Sequence, residues 1–243
     1  MTNDTTCEGI PGVFMMNLTL TSCSETQLTC FDGTCVDLSG RCDQKADCAD
    51  FSDEFECTLI QKDDKRYKKD YAPPPIGNED KAEVMIDIAI HNFIEISEVK
   101  SAIRIQFDMG LTWRDARLQF QDLKAEEEQN VLTDKEKHDI WIPTIVFLNT
   151  NRKDVSVLDD KATVSIIRKS VAHKSGQISL REVAVYDGDE NFLHYTRSYD
   201  TTFQCQFDLQ FYPFDEQDCS MRLVIPPSNL PFIRLSNKSV RYR

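Results

Sequence analysis

The sequence predicts a mainly β fold preceded by a small disulfide-rich module. Two observations carry this. From Val84 onward apolar and polar residues alternate with period two, with turn signals between the runs, the pattern of an all-β sandwich or barrel. Six of the nine cysteines crowd between positions 23 and 57, a density that belongs to oxidising, extracellular compartments. The chain of 243 residues carries 28 basic and 41 acidic side chains, a net charge of −13, with 40% hydrophobic residues. That length allows one or two domains with a real core. The acidic balance lacks any basic cluster for phosphate backbones and argues against nucleic-acid binding. No apolar run reaches the ~18 residues that a bilayer span needs.

Residues 1–22 read as a tail. They lack the basic start and sustained apolar stretch of a signal peptide, so any export signal is expected outside this sequence. Cys7 is the odd thiol. Sequons at Asn3, Asn17 and Asn237 agree with an extracellular location.

Residues 23–57 form the small module. A 35-residue segment cannot bury enough apolar surface to fold without crosslinks or a metal. Nine acids stand against Arg41 and Lys45, a net −7. The acids concentrate in the run from Asp43 to Glu54, where they repel one another unless a hard cation sits among them. Oxygen ligands on a short irregular loop suit calcium better than zinc or copper. Charge alone leaves a merely solvated acidic face equally open. The cysteine spacing, C-x6-C-x4-C-x6-C-x5-C-x8-C, together with the acids of CDQKADCADFSDEFEC, resembles the LDL-receptor class A module. The resemblance implies the pairings Cys23–Cys35, Cys30–Cys48 and Cys42–Cys57, among 15 that six cysteines allow. It also implies a calcium cage from the side chains of Asp43, Asp47, Asp53 and Glu54 and the carbonyls of Gly40 and Lys45, over a small core of Leu28 and Val36. Gly40 stands where well-studied ligand-binding repeats place a tryptophan.

Residues 58–83, with mixed charge and Pro73-Pro74-Pro75, read as a solvated linker. Residues 84–243 then carry the β domain. Val84, Ile86, Ile88 and Ile90 share one face, Asp87 and His91 the other; Ile103, Ile105 and Phe107 alternate with Arg104, Gln106 and Asp108. Further runs occupy 162–168, 178–186, 192–199 and 219–225, and the polar stretch 122–138 reads as a loop holding a short helix.

No nucleophile elbow, zinc-protease helix or phosphate-cradling glycine loop occurs, and histidines 91, 138, 173 and 194 are scattered, so no enzyme is expected. Cys205 and Cys219 enclose QFDLQFYPFDEQD. A disulfide closing roughly 15 residues contributes about 3 kcal/mol, which does not require the apolar tip Phe211-Tyr212-Pro213-Phe214 followed by Asp215. An apolar tip beside one charge suits docking against another domain or a membrane edge.

That loop resembles the signature of pentameric cysteine-loop ligand-gated ion channels. Trp113-Arg114-Asp115-Ala116-Arg117-Leu118, Trp141-Ile142-Pro143 through Asn149, and Asp187-Gly188 with Tyr195 and Arg197 resemble other family segments in the right order. The resemblance covers roughly 84–225 and implies an immunoglobulin-like twisted β-sandwich, the extracellular part of one subunit in a ring of five above a pore. It implies a small-molecule agonist bound between subunits, with Leu148 and Asn149 on the principal face and Arg104, Asp108, Tyr195 and Arg197 on the complementary face. Residues Phe211 to Asp215 would rest on the membrane helices and pass binding to the gate; Trp113, Asp115, Arg117, Trp141 and Pro143 would be structural. The sequence departs at Leu148, where acetylcholine receptors place a tyrosine, at Asp108, where many members have an aromatic, and at Thr144, usually Asp. Without an aromatic cage a quaternary ammonium lacks its cation–π seat. Arg104 or Arg197 offers charge for an anion, and Asp108 for an amine. By the same resemblance Arg243 precedes the four membrane helices and the hairpin that caps the binding site. Alternatives are a secreted binding protein on the same sandwich, or an LDL-receptor-type calcium-dependent receptor.

Overall fold

The computed structural model describes residues 21–24, 26–55, 57–157, 162–174, 184–212 and 214–242. Asn3, Cys7, Asn17 and Pro213 lie outside the described residues. The chain is mainly β and divides into two compact units, one through Cys57 with Ala172–Val185, the other Thr58–Val171 with Tyr186–Arg243.

In the first unit, β1 (Gln27–Thr29) pairs antiparallel with β2 (Cys35–Asp37), Leu28 opposite Val36. Disulfide Cys30–Cys48 ties this ribbon to the acidic loop, while Cys23–Cys35 fastens β2 to the segment before β1 and Cys42–Cys57 closes the acidic loop. Among the described residues of 21–57, Leu28, Cys30 and Cys48 are the buried apolar ones. With so small a core, the crosslinks supply what packing does not.

The second unit begins with β3 (Ile60–Lys62), β4 (Ala82–Ser97), β5 (Ala102–Trp113) and β6 (Leu118–Gln121). The helix α1 (Asp134–Asp139), β7 (Val146–Phe147), β8 (Thr150–Val157) and β9 (Thr163–Ile167) follow. The two-residue β10 (His173–Lys174) pairs antiparallel with Ala184 and Val185 of β11 (Ala184–Asp187), all four within the first unit; the second unit continues with β12 (Phe192–Gln204), β13 (Leu223–Val224) and β14 (Ile233–Tyr242). One sheet runs β14-β4-β5-β12-β8, with β9 also on β12; β14 joins β4 in parallel.

The register explains the core. Val84, Trp113 and Leu193 form one cross-strand row, and Ile90, Phe107 and Tyr199 another. Their side chains point to one face because strand residues alternate sides. Phe147 of β7 packs against Phe107, Tyr199 and Phe203 with centroids 5.4–5.9 Å apart, and Trp141 meets Trp113 edge to face at 6.0 Å. These aromatics are the filling between the large sheet and the layer opposite.

Residues 58–83, expected as a solvated linker, are mostly exposed but are anchored to the β unit at two places. Ile60–Lys62 is β3, paired with β6. Tyr67 is buried; its hydroxyl donates to Asp115 Oδ2 at 3.3 Å and accepts the Trp141 N–H at 2.9 Å. Arg117 lies over the Tyr67 ring at 4.6 Å and makes a two-pronged bond to Asp115 at 2.8 and 2.7 Å. Two turn carbonyls, Lys68 O and Tyr71 O, accept from the same guanidinium. Burial, and then the Asp115 charge, push the Tyr67 hydroxyl well above the ordinary tyrosine range. The Trp113-to-Leu118 motif is thus a lock whose partner is a tyrosine upstream. Gly188 belongs to it: a Cβ there would collide with Asp115 O and Leu118 O.

The loop with a short helix holds. Thr133 caps α1 in a reciprocal box with Glu136. The buried Glu136 also accepts the Leu59 N–H at 2.8 Å.

Candidate functional site

The disulfide Cys205–Cys219 closes a loop whose base is fastened and whose tip is bare. At the base, the Cys205 N–H donates to Ser101 O, in the turn after β4, at 2.9 Å. Inside the loop, Gln217 pairs with the Asp208 backbone through both side-chain atoms, at 2.9 and 2.7 Å. Asp215 accepts from the Gln217 amide, so its carboxylate is first a brace of the loop. At the tip, Phe211 and Tyr212 are exposed and Phe214 is 94% exposed. The β4–β5 turn is bare as well: Phe93, Ile94 and Ile96 are exposed and Val99 is 98% so. Sequence reasoning missed this second apolar tip. The available signal was that Phe93 and Ile94 break the alternation, which the sheet records as register shifts between Ile90 and Asn92 and between Phe93 and Glu95.

Asn149 lies beside the loop's base. Its Nδ2 donates to Gln204 O at 3.1 Å and Ser220 O at 2.6 Å, and its Oδ1 accepts the Arg222 N–H at 2.9 Å. It therefore staples the two legs of the disulfide loop, and these bonds use its side-chain amide. Its neighbour Leu148 is 60% exposed.

The four residues expected on the complementary face do not converge. On β5, Arg104 and Asp108 pair with Thr202 and Ser198 of β12, on the face away from the core. Tyr195 and Arg197 stand opposite Leu111 and Met109, on the core face. Arg104 makes a two-pronged bond to the buried Asp200 at 2.7 and 2.8 Å. Asp108 is held by His91 Nε2 at 2.7 Å and Ser198 Oγ at 2.5 Å. Tyr195 is buried, Arg197 Nε is buried without a hydrogen-bond partner, and burial raises the Tyr199 hydroxyl well above the ordinary tyrosine range. Adjacent residues on a strand point to opposite sides, so nearness in sequence does not place these four in one pocket.

In the small module, Glu54 Oε1 accepts the Asp43 and Gln44 N–H groups at 2.8 and 3.0 Å, and Asp43 Oδ1 accepts the Lys45 N–H at 2.9 Å. Asp53 is fully buried; Oδ2 accepts the Asp47 N–H at 2.6 Å, while Oδ1 is buried without a hydrogen-bond partner. A buried carboxylate oxygen with no donor is costly unless a cation meets it. The Asp47 carboxylate occupies the space that a Cβ at Gly40 would need. Among the described residues, the acid-and-sulfur group drawn within 4.8 Å is Cys30, Cys48 and Asp50, and its sulfurs are joined in a disulfide. The four cage carboxylates are not gathered in that way, and three of them turn an oxygen to a backbone N–H instead.

Comparison with known proteins agrees with both parts. The low-density lipoprotein receptor domain class A matches residues 21–57. The neurotransmitter-gated ion-channel ligand binding domain matches residues 56–225. Similar curated proteins include the mouse acetylcholine receptor subunit delta, 25% identical over 69% of this chain and 28% of its own length. The glutamate-gated chloride channel of Drosophila melanogaster is 24% identical over 60% of this chain and 27% of its own length. A proton-gated ion channel subunit of Caenorhabditis elegans, pbo-6, is 25% identical over 72% and 35%. The chain thus spans about a third or less of the length of these relatives. Among the described residues no helix is long and apolar enough to cross a membrane. The chain belongs to the neurotransmitter-gated ion-channel ligand-binding-domain family, one of ligand-gated channel receptors rather than enzymes, and carries an LDL-receptor class A domain ahead of that part.

Proposed function

We propose that this chain is the extracellular, ligand-sensing part of a pentameric channel subunit at the plasma membrane, and that binding between subunits reaches a membrane pore through the Cys205–Cys219 loop. The observation that carries this is the bare apolar tip, Phe211, Tyr212 and Phe214, beside the exposed Val99 turn, joined by the Cys205–Ser101 bond. Large apolar side chains held in water lose their burial free energy unless a partner covers them. A channel roof is that partner. Asn149 ties the segment 144–150 to both legs of the loop, giving movement at the ligand-facing segment a route to the tip. Leu148, exposed, is the contact we assign to the agonist on the principal face. Arg104 and Asp108 already have side-chain partners, so their contribution is to shape the interface rather than to seat a ligand charge, whereas Arg197 keeps a buried Nε with no hydrogen-bond partner.

For the small module, Asp43, Asp47, Asp53 and Glu54, with the carbonyls of Gly40 and Lys45, would hold calcium. Calcium would neutralise carboxylates that otherwise repel, and it would meet the orphaned Asp53 Oδ1. The channel reading is tested by Phe214→Ala in the full-length subunit. The ectodomain should fold and reach the surface normally, while agonist-evoked current falls several-fold. Wild-type currents would remove the loop from the coupling route.

A further inference from the structure

The sequon Asn237-Lys238-Ser239 falls within β14, the terminal strand of the large sheet. β14 pairs with β4 on one side, and among the described residues no strand pairs with its other side. An edge ten residues long presents a row of N–H and C=O groups to any further strand. Ile233, Leu235, Val240 and Tyr242 also give it an apolar, strand-forming composition. Such an edge templates aggregation in water unless something closes it. Arg234 does little to repel other chains, because Glu79 takes its guanidinium at 2.7 Å and Glu83 lies 3.9 Å from it.

Asn237 stands where a modification has room. Its side chain is exposed, whereas Ile233 at the start of the same strand is buried. The register with β4 shifts between Asn237 and Ser239, which leaves Lys238 outside the ladder. The triplet meets the acceptor rule for N-glycosylation, with no proline at its centre and a hydroxyl residue after it. Four disulfides require an oxidising secretory route, where glycosylation of such triplets takes place. We infer that Asn237 carries an N-linked oligosaccharide and that this glycan closes the free edge of β14. In its attachment the Asn237 amide nitrogen bonds to the anomeric carbon of the sugar. The bond from that carbon to the phosphate oxygen of a lipid-pyrophosphate donor breaks, its electron pair leaves with the lipid pyrophosphate, and the amide proton passes to solvent. A bulky, hydrated oligosaccharide beside the strand leaves no space for another strand to pair in register. The inference is independent of the channel reading, since it needs only the secretory route and the open edge.

The test uses the whole chain secreted from mammalian cells behind an added leader, with the tail sequons removed by Asn3→Gln and Asn17→Gln. Release of the glycan by peptide N-glycosidase in heavy-oxygen water converts a glycosylated Asn237 to labelled aspartate, which mass spectrometry of its peptide reads. Wild-type Asn237 should be labelled, Ser239→Ala should abolish the label, and Ser239→Thr should keep it. With Phe214→Ser also present to take away the apolar tip, Ser239→Ala should sediment with several-fold more self-association than Ser239→Thr. If Ser239→Ala fails to be secreted, removing the glycan enzymatically from the folded chain makes the same comparison without that substitution. An unlabelled Asn237 overturns the inference. So does a labelled Asn237 whose glycan is lost with no change in association.

Discussion

At the scale of single residues, Tyr67 shows how one hydroxyl can join distant segments. It donates to Asp115, accepts from Trp141 and lies beneath Arg117. Tyr67→Phe leaves the Trp141 N–H without that acceptor, which should cost about 1–3 kcal/mol in urea unfolding. The same residue sets a pH limit. Its folded pKa lies above that of a free tyrosine, so its contribution is complete below about 10 and declines as pH rises further, when only the unfolded chain gains by ionising. Tyr67→Phe should therefore shallow the alkaline limb of the stability profile, leaving the share of Tyr199, which is raised for the same reason. Asp200 works in the opposite direction. Its hydrogen bond from Arg104 holds the carboxyl below the usual carboxylate range. Its stabilisation is present above the unfolded value of about 4 and is lost as pH falls through the folded value. Asp200→Asn should flatten the acid limb of the melting profile; an unchanged limb would mean that the pair contributes nothing there.

At the scale of elements, the two units reach stability by different means. The sandwich has long strands with paired rows of apolar side chains. The module has two three-residue strands and three disulfides. Its acidic loop contains Cys42 and Gln44 at positive φ, 55° and 68°, conformations that a cation and a crosslink together can hold. EDTA should lower the melting of the module and leave the sandwich transition in place, as followed by calorimetry of the intact chain; a module transition that ignores EDTA would remove calcium from this account. The cysteine spacing and acids made this element legible. The strand β3 was not legible: three residues in a charged stretch carry no period, and their pairing is with β6, far along the chain.

At the scale of the whole molecule, the apolar end formed by the disulfide loop and the β4–β5 turn has no cover within the described chain. Surfaces of this kind associate in water. The isolated chain should self-associate in sedimentation experiments, and Phe214→Ser should reduce it; association unaffected by that change would place the contact elsewhere. What the sequence determined by itself was what local pattern encodes: the β periodicity from Val84, the crosslinked acidic module, and the disulfide loop with its greasy tip. Those signals lie within short stretches, because strand alternation and cysteine spacing are near-neighbour properties. Only the tertiary structure decided that Tyr67, in the mostly exposed stretch 58–83, belongs to the core, that Arg104 and Asp108 stand on the opposite face from Tyr195 and Arg197, and that Asn149 fastens the loop's legs. Each of these depends on register and on contacts across many residues, and a one-residue change of register reverses which face a side chain occupies.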